Sequence, residues 1–334
     1  MDTIQLTGTD LTPSRIALGT WAIGGWMWGG SDESEAVRTI HAALDRGITL
    51  IDTAPVYGFG RAEETVGKAL AQDGRRERAF IATKAGLEWR DGKVFRNSSP
   101  SRLRRELEAS LKRLRTDYID LYQIHWPDPL VLVEETAAVL ECFRREGKIR
   151  ALGVSNFSPV QMRTFRKVAA LHAVQPPYNL FERAIESDVL PYAKRNDIAV
   201  LAYGALCRGL LSGKITAASR FGGDDLRNVD PKFRPPRLGQ YLAAVEALAT
   251  FASERYGKSV LALAVRWILD QGPTIALWGA RRPDQLDPID EVLGWSLDSA
   301  ARKEIDRILA ATILDPVGPD FMAPPARPAE KSVA

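Results

Sequence analysis

The sequence predicts a single (β/α)8 barrel spanning residues 1–334. Eight short apolar, β-rich runs, amphipathic helical segments between them, and the lack of a composition break together predict it. The runs are RIAL, ITLI, AFIAT, YIDLYQI, RALGV, HAVQ, IAVLA and TIAL, ending near Leu18, Ile51, Thr83, Ile124, Val154, Gln175, Ala202 and Leu277. Several are apolar at consecutive positions, as strands covered on both faces are. Regular repetition without a break favours closure over an open doubly wound sheet.

Taken in order, the segment before Arg15 reads as a small hairpin closing the barrel bottom. After the first run, Asp32 and Glu35 form a capping-box-like pair, and Val37, Ile40, His41 and Leu44 recur at i, i+3, i+4 and i+7 until Gly47 stops the helix. Between the third and fourth runs, Leu103, Leu107, Leu111 and Leu114 make an apolar stripe. Arg104, Arg105, Glu106, Glu108 and Lys112 fall elsewhere, a mixture that reads as a solvated face rather than a nucleic-acid surface. Ala202 and Leu277 are too far apart for one βα unit, so residues 212–240, rich in Gly, Asp, Arg and Pro, read as an inserted surface loop. The tail from about residue 315 is Pro- and Ala-rich and is expected to be extended, with its last residues frayed and Phe321 and Met322 able to dock.

Composition narrows the function classes. The chain is 45% hydrophobic and 26% charged, with 45 basic against 42 acidic residues. Such near balance argues against nucleic acid as a partner. Cys142 and Cys207 form no paired ligand motif, so neither a disulfide framework nor a metal site is expected, and a reducing cytoplasm fits. The start, MDTIQLTGTD, lacks the basic and apolar regions of a signal peptide. The longest apolar stretch, Val260 to Leu269, is too short for a span and contains Arg266, so no membrane association is expected.

In a barrel, function sits where strands end. Asp52 follows ITLI, Tyr57 lies in the loop after it, Lys84 follows AFIAT and His125 follows YIDLYQI. Singly, each has a structural reading as a turn, packing or snorkelling residue; together, at one end of three consecutive strands, they suggest proton transfer to a carbonyl. A phenol near pKa ~10 is a poor donor at neutral pH, and an adjacent Lys84 ammonium would lower it. Asp52 would keep that lysine charged, and His125 would orient the substrate oxygen. Such chemistry needs a hydride source, and with no other redox centre visible a nicotinamide cofactor is the economical inference.

The usual dinucleotide fingerprint is missing: Gly58-Phe59-Gly60 begins like it, but Glu63 stands where the third glycine belongs. The loops after strands seven and eight are the other candidates. Tyr203 to Lys214 carries glycines with Arg208 and Lys214; Trp278 to Gln285 turns into a helix whose N-terminus would favour an anion. Arg281 there suits the 2′-phosphate of NADP.

These residues carry a resemblance. LGTW at Leu18 to Trp21, GITLIDTAPVYG at Gly47 to Gly58, GKIRALGVSNF at Gly147 to Phe157, YNLFER at Tyr178 to Arg183 and the two loops resemble the aldo-keto reductases from about Ile4 to Leu309. LGTWAIGGWMWGG, YGALCRGLL and GGDDLR look similar to the bacterial glycerol dehydrogenase and glyceraldehyde reductase branch. The resemblance implies a catalytic tetrad at Asp52, Tyr57, Lys84 and His125, with ordered, NADPH-first reduction. Hydride would come from nicotinamide C4 and the proton from Tyr57. It implies that Ser155, Asn156 and Gln175 hold the carboxamide and Tyr203 stacks on the ring, with Thr20, Trp21 and Gly204 beside the cofactor. Leu206, Arg208, Leu210, Gly213 and Lys214 would wrap the pyrophosphate, and Gly279, Arg281 and Gln285 would meet the 2′-phosphate end. Pro288 and Ile289 depart from the family's usual Glu-Asn, and Pro176-Pro177 from its usual pair before Tyr178.

Trp21, Trp28, Tyr57 and Trp126 suggest a narrow aromatic substrate pocket, with Trp26 and Met27 packing the barrel mouth. Small aldehydes such as glyceraldehyde, and polyols such as glycerol in reverse, are the expected substrates. A slow-turnover NADP-binding regulatory subunit, similar to channel β subunits, and an NAD-linked sugar or polyol dehydrogenase are the alternatives. A monomer or weak homo-oligomer is expected. His41 and His172 read as structural, Cys142 as a buried helix residue and Cys207 as packing.

Overall fold

In the computed structural model, which describes residues 1–71 and 73–327, the strands are β1 (Ile16–Gly19), β2 (Leu50–Asp52), β3 (Phe80–Ala85), β4 (Leu87–Arg90), β5 (Lys93–Arg96), β6 (Ile119–Ile124), β7 (Ile149–Ser155), β8 (Ala173–Gln175), β9 (Ala199–Ala202) and β10 (Thr274–Gly279). The helices are α1 (Trp21–Gly24), α2 (Glu33–Asp45), α3 (Arg61–Leu70), α4 (Pro100–Leu114), α5 (Val133–Arg145), α6 (Pro159–Arg166), α7 (Val189–Arg195), α8 (Arg237–Tyr256), α9 (Val260–Leu269) and α10 (Ser299–Thr312). Eight strands close a parallel barrel in the order β1-β10-β9-β8-β7-β6-β3-β2, surrounded by helices: a (β/α)8 barrel. Each of the eight sequence runs supplies one of its strands.

Small residues fill the barrel interior. Ala17, Ala82, Ala151, Ala173 and Ala199 pack there with Leu50, Leu121 and Leu201, and the N-terminal hairpin adds Leu6 and Leu11 from below. That hairpin pairs Thr3 with Ser14 antiparallel, and Leu6 N donates to Leu11 O at 2.9 Å. The larger apolar cluster lies between strands and helices, so the strands are covered on both faces and read as continuous apolar runs.

Several local expectations change. Asp32 Oδ1 accepts from Glu35 N at 2.9 Å, but the Glu35 carboxylate turns to Arg38, so the cap works in one direction. Glu106 is not on a solvated face: it is 3% exposed, reaching from α4 towards the strand ends. Cys142 is exposed, with Sγ 3.2 Å from Glu146 Oε1. After β10 the chain forms a 3-10 run, Pro283–Val292, rather than an α-helix. Pro288 lies inside it and has no N–H to donate to an α-helical ladder.

Residues 212–240 are not a free surface loop. Asp225, Leu226, Asp230, Lys232 and Phe233 are buried, and the last four residues belong to α8. The Asp224 carboxylate accepts from Met27 N (2.7 Å) and Gly29 N (3.1 Å), and Leu226 N donates to Met27 O (2.9 Å), latching the segment to the loop after β1. The sequence missed β4 and β5, although Asp91-Gly92, both with positive φ (49° and 73°), is a hairpin-turn signature. The tail docks on this hairpin: Arg96 N donates to Pro325 O at 2.9 Å, and Arg96 pairs with Ala326. The fraying expected of the last residues falls on 328–334, outside the described residues. Among the described residues no helix is long and apolar enough to cross a membrane, and no group of His, Cys, Asp and Glu could hold a metal ion.

Candidate active site

A cavity of about 430 Å³ opens at the C-terminal ends of the barrel strands. The β2–β3 pairing aligns Asp52 with Ala82, which places Lys84 one inward-facing position beyond, beside the end of β2. There Lys84 Nζ, fully buried, donates to Asp52 Oδ1 (2.9 Å) and Oδ2 (2.8 Å), to Thr53 O (3.0 Å) and to Tyr57 Oη (3.3 Å). Tyr57 is held by a close backbone approach. A Cβ at Gly24 would lie 2.6 Å from the Tyr57 carbonyl carbon, so only glycine lets α1 pack against this loop. Trp21 stacks on Tyr57 (centroids 5.8 Å apart, planes at 18°), and His125 meets the Tyr57 ring edge-on at 5.8 Å. The structure therefore brings the four sequence candidates to one place.

Their electrostatics differ from expectation in one respect. Lys84 was expected to lower the Tyr57 pKa, but burial, reinforced by the Asp52 charge, pushes the phenol well above its ordinary value. Asp52 pairs with Lys84 at 2.8 Å, which offsets the lysine's pull on the Tyr57 proton. Burial lowers the Lys84 pKa and Asp52 opposes it; burial and then the Lys84 charge hold His125 well below its usual range. The site thus holds a neutral phenol and a neutral imidazole, a proton donor beside a hydrogen-bonding partner for a carbonyl oxygen.

A connected row of polar side chains runs along the ends of β7 to β9. Gln175 Nε2 donates to Asp52 Oδ1 (2.8 Å), and Ser155 Oγ to Gln175 O (2.7 Å). Asn156 Nδ2 donates to Ser155 Oγ and to His125 O (both 3.0 Å), and Tyr203 Oη to Asn156 Oδ1 (3.0 Å). All four residues line the cavity, as do Trp21, Gly204, Leu206, Gly279, Arg281 and Gln285. Arg281 Nη1 donates to Trp28 O (2.9 Å) and Gly30 O (3.2 Å), tying the loop after β10 to the loop after β1. Gln285 Oε1 accepts from Arg281 N (2.7 Å) and Arg282 N (3.2 Å), capping the turn.

Other sequence candidates lie elsewhere. Thr20 is buried behind the lining, with Oγ1 donating to Asp52 O at 2.9 Å; Leu210 is core; Gly213 and Lys214 are exposed beyond the lining. Arg208 does line the cavity, with its charge ion-paired to acidic neighbours. Its guanidinium lies 2.5 Å from Glu182 Oε1 and 2.6 Å from Asp230 Oδ2, and Lys232 Nζ meets the same Glu182 oxygen at 2.8 Å. The sequence could not foresee this, because Asp230 and Lys232 come from the segment read as a surface loop. Cys207 beside it is fully buried, and burial pushes its thiol up to about 12.

The substrate end is aromatic. Trp21, Trp28 and Trp126 line it as expected, and Trp26 and Met27, expected only to pack the mouth, line it too. The sequence missed Leu87 and Val94 from the β4–β5 hairpin and Pro324 from the tail; Phe321 and Met322 do dock there. Arg96 joins these parts: its guanidinium lies over Trp126 (5.2 Å to the centroid), and Nε donates to Pro324 O at 2.8 Å.

Comparison with known proteins agrees with this architecture. The Aldo/keto reductase family model matches residues 15–310. The chain is 60% identical over 328 residues to aldo-keto reductase YhdN of Bacillus subtilis, covering 98% of this chain and 99% of that protein. It is 38% identical over 302 residues to the NADH-specific methylglyoxal reductase of Escherichia coli, covering 86% and 91%. The solved structure of glycerol dehydrogenase AKR11B4 from Gluconobacter oxydans is similar, with a TM-score of 0.88 and 57% identity over 96% of this chain and 99% of that one. The chain belongs to the aldo/keto reductase family, oxidoreductases that act on carbonyl and alcohol groups with NAD(P)H.

Proposed function

We propose that the protein reduces small aldehydes to alcohols with NADPH, and oxidises short polyols such as glycerol in reverse. The observation that carries this reading is the buried Asp52–Lys84–Tyr57 chain opening into an aromatic cavity. The cofactor fits the residues present: the polar row Ser155, Asn156, Gln175 and Tyr203 suits a carboxamide and ring, and Arg281 lines the same cavity and suits a phosphate. Bound NADPH supplies the hydride.

The protein's own groups do the rest. Tyr57 is neutral, so it donates a proton to the carbonyl oxygen as negative charge develops there. Lys84, at 3.3 Å, stabilises the phenolate left behind. Asp52 favours the charged form of Lys84 against the burial that lowers its pKa. His125 orients the carbonyl oxygen, and the tryptophan walls exclude water and favour a short substrate. Mixing purified protein with NADPH and DL-glyceraldehyde and following nicotinamide absorbance tests this, with Tyr57→Phe beside it. Rapid NADPH oxidation that collapses at least about a hundredfold in the variant is expected. Equal slow turnover in both proteins would favour the regulatory-subunit reading, and faster turnover with NADH would favour the NAD-linked one.

A further inference from the structure

The outward side of β3, the strand carrying Lys84, is held by two buried carboxylates that the chemistry above does not use. Thr83 Oγ1 donates to Glu63 Oε1 (2.6 Å), and Glu63 Oε2 accepts from Arg113 Nε (2.7 Å). Two residues beyond Lys84, Gly86 N donates to Glu106 Oε2 (3.0 Å), while Glu106 Oε1 faces Arg102 Nη2 at 3.3 Å. The bend is tight: Gly86 has φ +90°, and a Cβ there would lie 2.6 Å from Ser98 Oγ. Inside it, Ala85 O accepts from His125 N at 2.8 Å. Arg102 Nη2 also donates to Leu87 O at 3.2 Å, and Leu87 lines the cavity. One three-residue bend thus joins Lys84, His125 and the substrate wall, and the Arg102–Glu106 pair grips it from outside.

We propose that Glu106 is a positioning residue for carbonyl reduction: ionised and paired with Arg102, it holds the Ala85–Leu87 bend in the reactive alignment, and protonation loosens that grip. The inference rests on the function proposed above. A carboxylate accepts a hydrogen bond from Gly86 N more strongly than a neutral carboxyl does, and only the carboxylate pairs with Arg102. Its surroundings place this change near neutrality. Burial raises the Glu106 carboxyl to about 7, with Arg102 and Gly86 N–H opposing the rise and Glu63 adding to it. The buried Tyr122 hydroxyl, without a hydrogen-bond partner among the described residues, is coupled to the Glu106 charge and to those of Glu63 and of Arg113, which pairs with Glu63; Ser98 Oγ, likewise without one among them, lies beside Gly86.

The test has two readouts. With saturating NADPH and varied DL-glyceraldehyde, the wild-type kcat/KM is expected to fall about fivefold below a midpoint near pH 7, from the difference between charged and neutral hydrogen bonding. Glu106→Gln keeps the shape and an acceptor for Gly86 N, so its profile should be flat at the low value. Arg102→Met should move the midpoint upward. Independently of turnover, the His125 imidazole resonance, one of only three histidines, should shift with the same midpoint in the wild type and not in Glu106→Gln. An inflection that survives Glu106→Gln in either readout, or a wild type without one in both, overturns the proposal. A protein that shows the resonance shift but reduces no carbonyl would sink the proposed function and leave the Glu106 coupling standing.

Discussion

Replacing Asp52 by Asn tests the energetic centre of the site. The Asp52 carboxylate accepts two hydrogen bonds from Lys84 and one from Gln175, so it works as a pure acceptor. An asparagine must point its NH2 at one of those donors, and it leaves the fully buried ammonium with neutral partners alone. Breaking a buried pair in this way costs about 3–5 kcal/mol. At roughly 2.1 cal/mol/K per residue, a 334-residue chain unfolds with about 0.7 kcal/mol/K of entropy, so Tm should fall by about 4–7 °C. The loss should depend on pH. With the anion gone, burial lowers the Lys84 pKa further below that of the unfolded chain. Between those two values the unfolded state binds more protons, so stability rises with pH. Thermal unfolding at pH 6 and pH 9 is the assay, with the larger deficit expected at pH 6. A Tm within a degree of wild type at pH 6, or a deficit identical at both pH values, would refute the account of the pair.

Arg281→Ala should weaken NADPH binding about ten- to a hundredfold while changing NADH binding far less, as titration of nicotinamide fluorescence would show; equal weakening of both would remove Arg281 as the phosphate partner. The Asp224 carboxylate holds the amides of Met27 and Gly29 with its two oxygens, and an asparagine can hold only one of them well. Asp224→Asn should therefore speed cofactor release about three- to tenfold in stopped-flow displacement, and an unchanged rate would mean the latch does not confine the cofactor. Disulfide-exchange reagents should modify one thiol per native chain, the exposed Cys142, and reach Cys207 only on unfolding; two fast thiols would contradict the burial of Cys207.

Much of the fold was legible because barrel strands announce themselves locally. ITLI, AFIAT and IAVLA are buried on both faces, so each is a continuous apolar run that needs no partner to be recognised. The candidate tetrad was legible for a related reason: barrel loops gather whatever follows each strand, so Asp52, Tyr57, Lys84 and His125 converge once closure is assumed. Glu106 shows where this reasoning fails. On the helix it lies off the leucine stripe among charged neighbours and reads as solvated, yet the bend after β3 offers an unpaired amide that draws it inward. The 3-10 run after β10 was readable from Pro288 but was outweighed by the expectation of a repeating βα unit.

The sequence by itself determined the barrel, the strand ends and the set of groups able to carry proton transfer, because period, caps and strand termini are local properties of a chain. Only the tertiary structure decided what those groups are to one another. Burial and the Asp52 charge outweigh Lys84 in setting the Tyr57 phenol, and Arg208 is ion-paired in the interior with Glu182 and Asp230, which come from other segments. Charge and burial are sums over neighbours in space, and those neighbours arrive from segments whose placement no local pattern encodes.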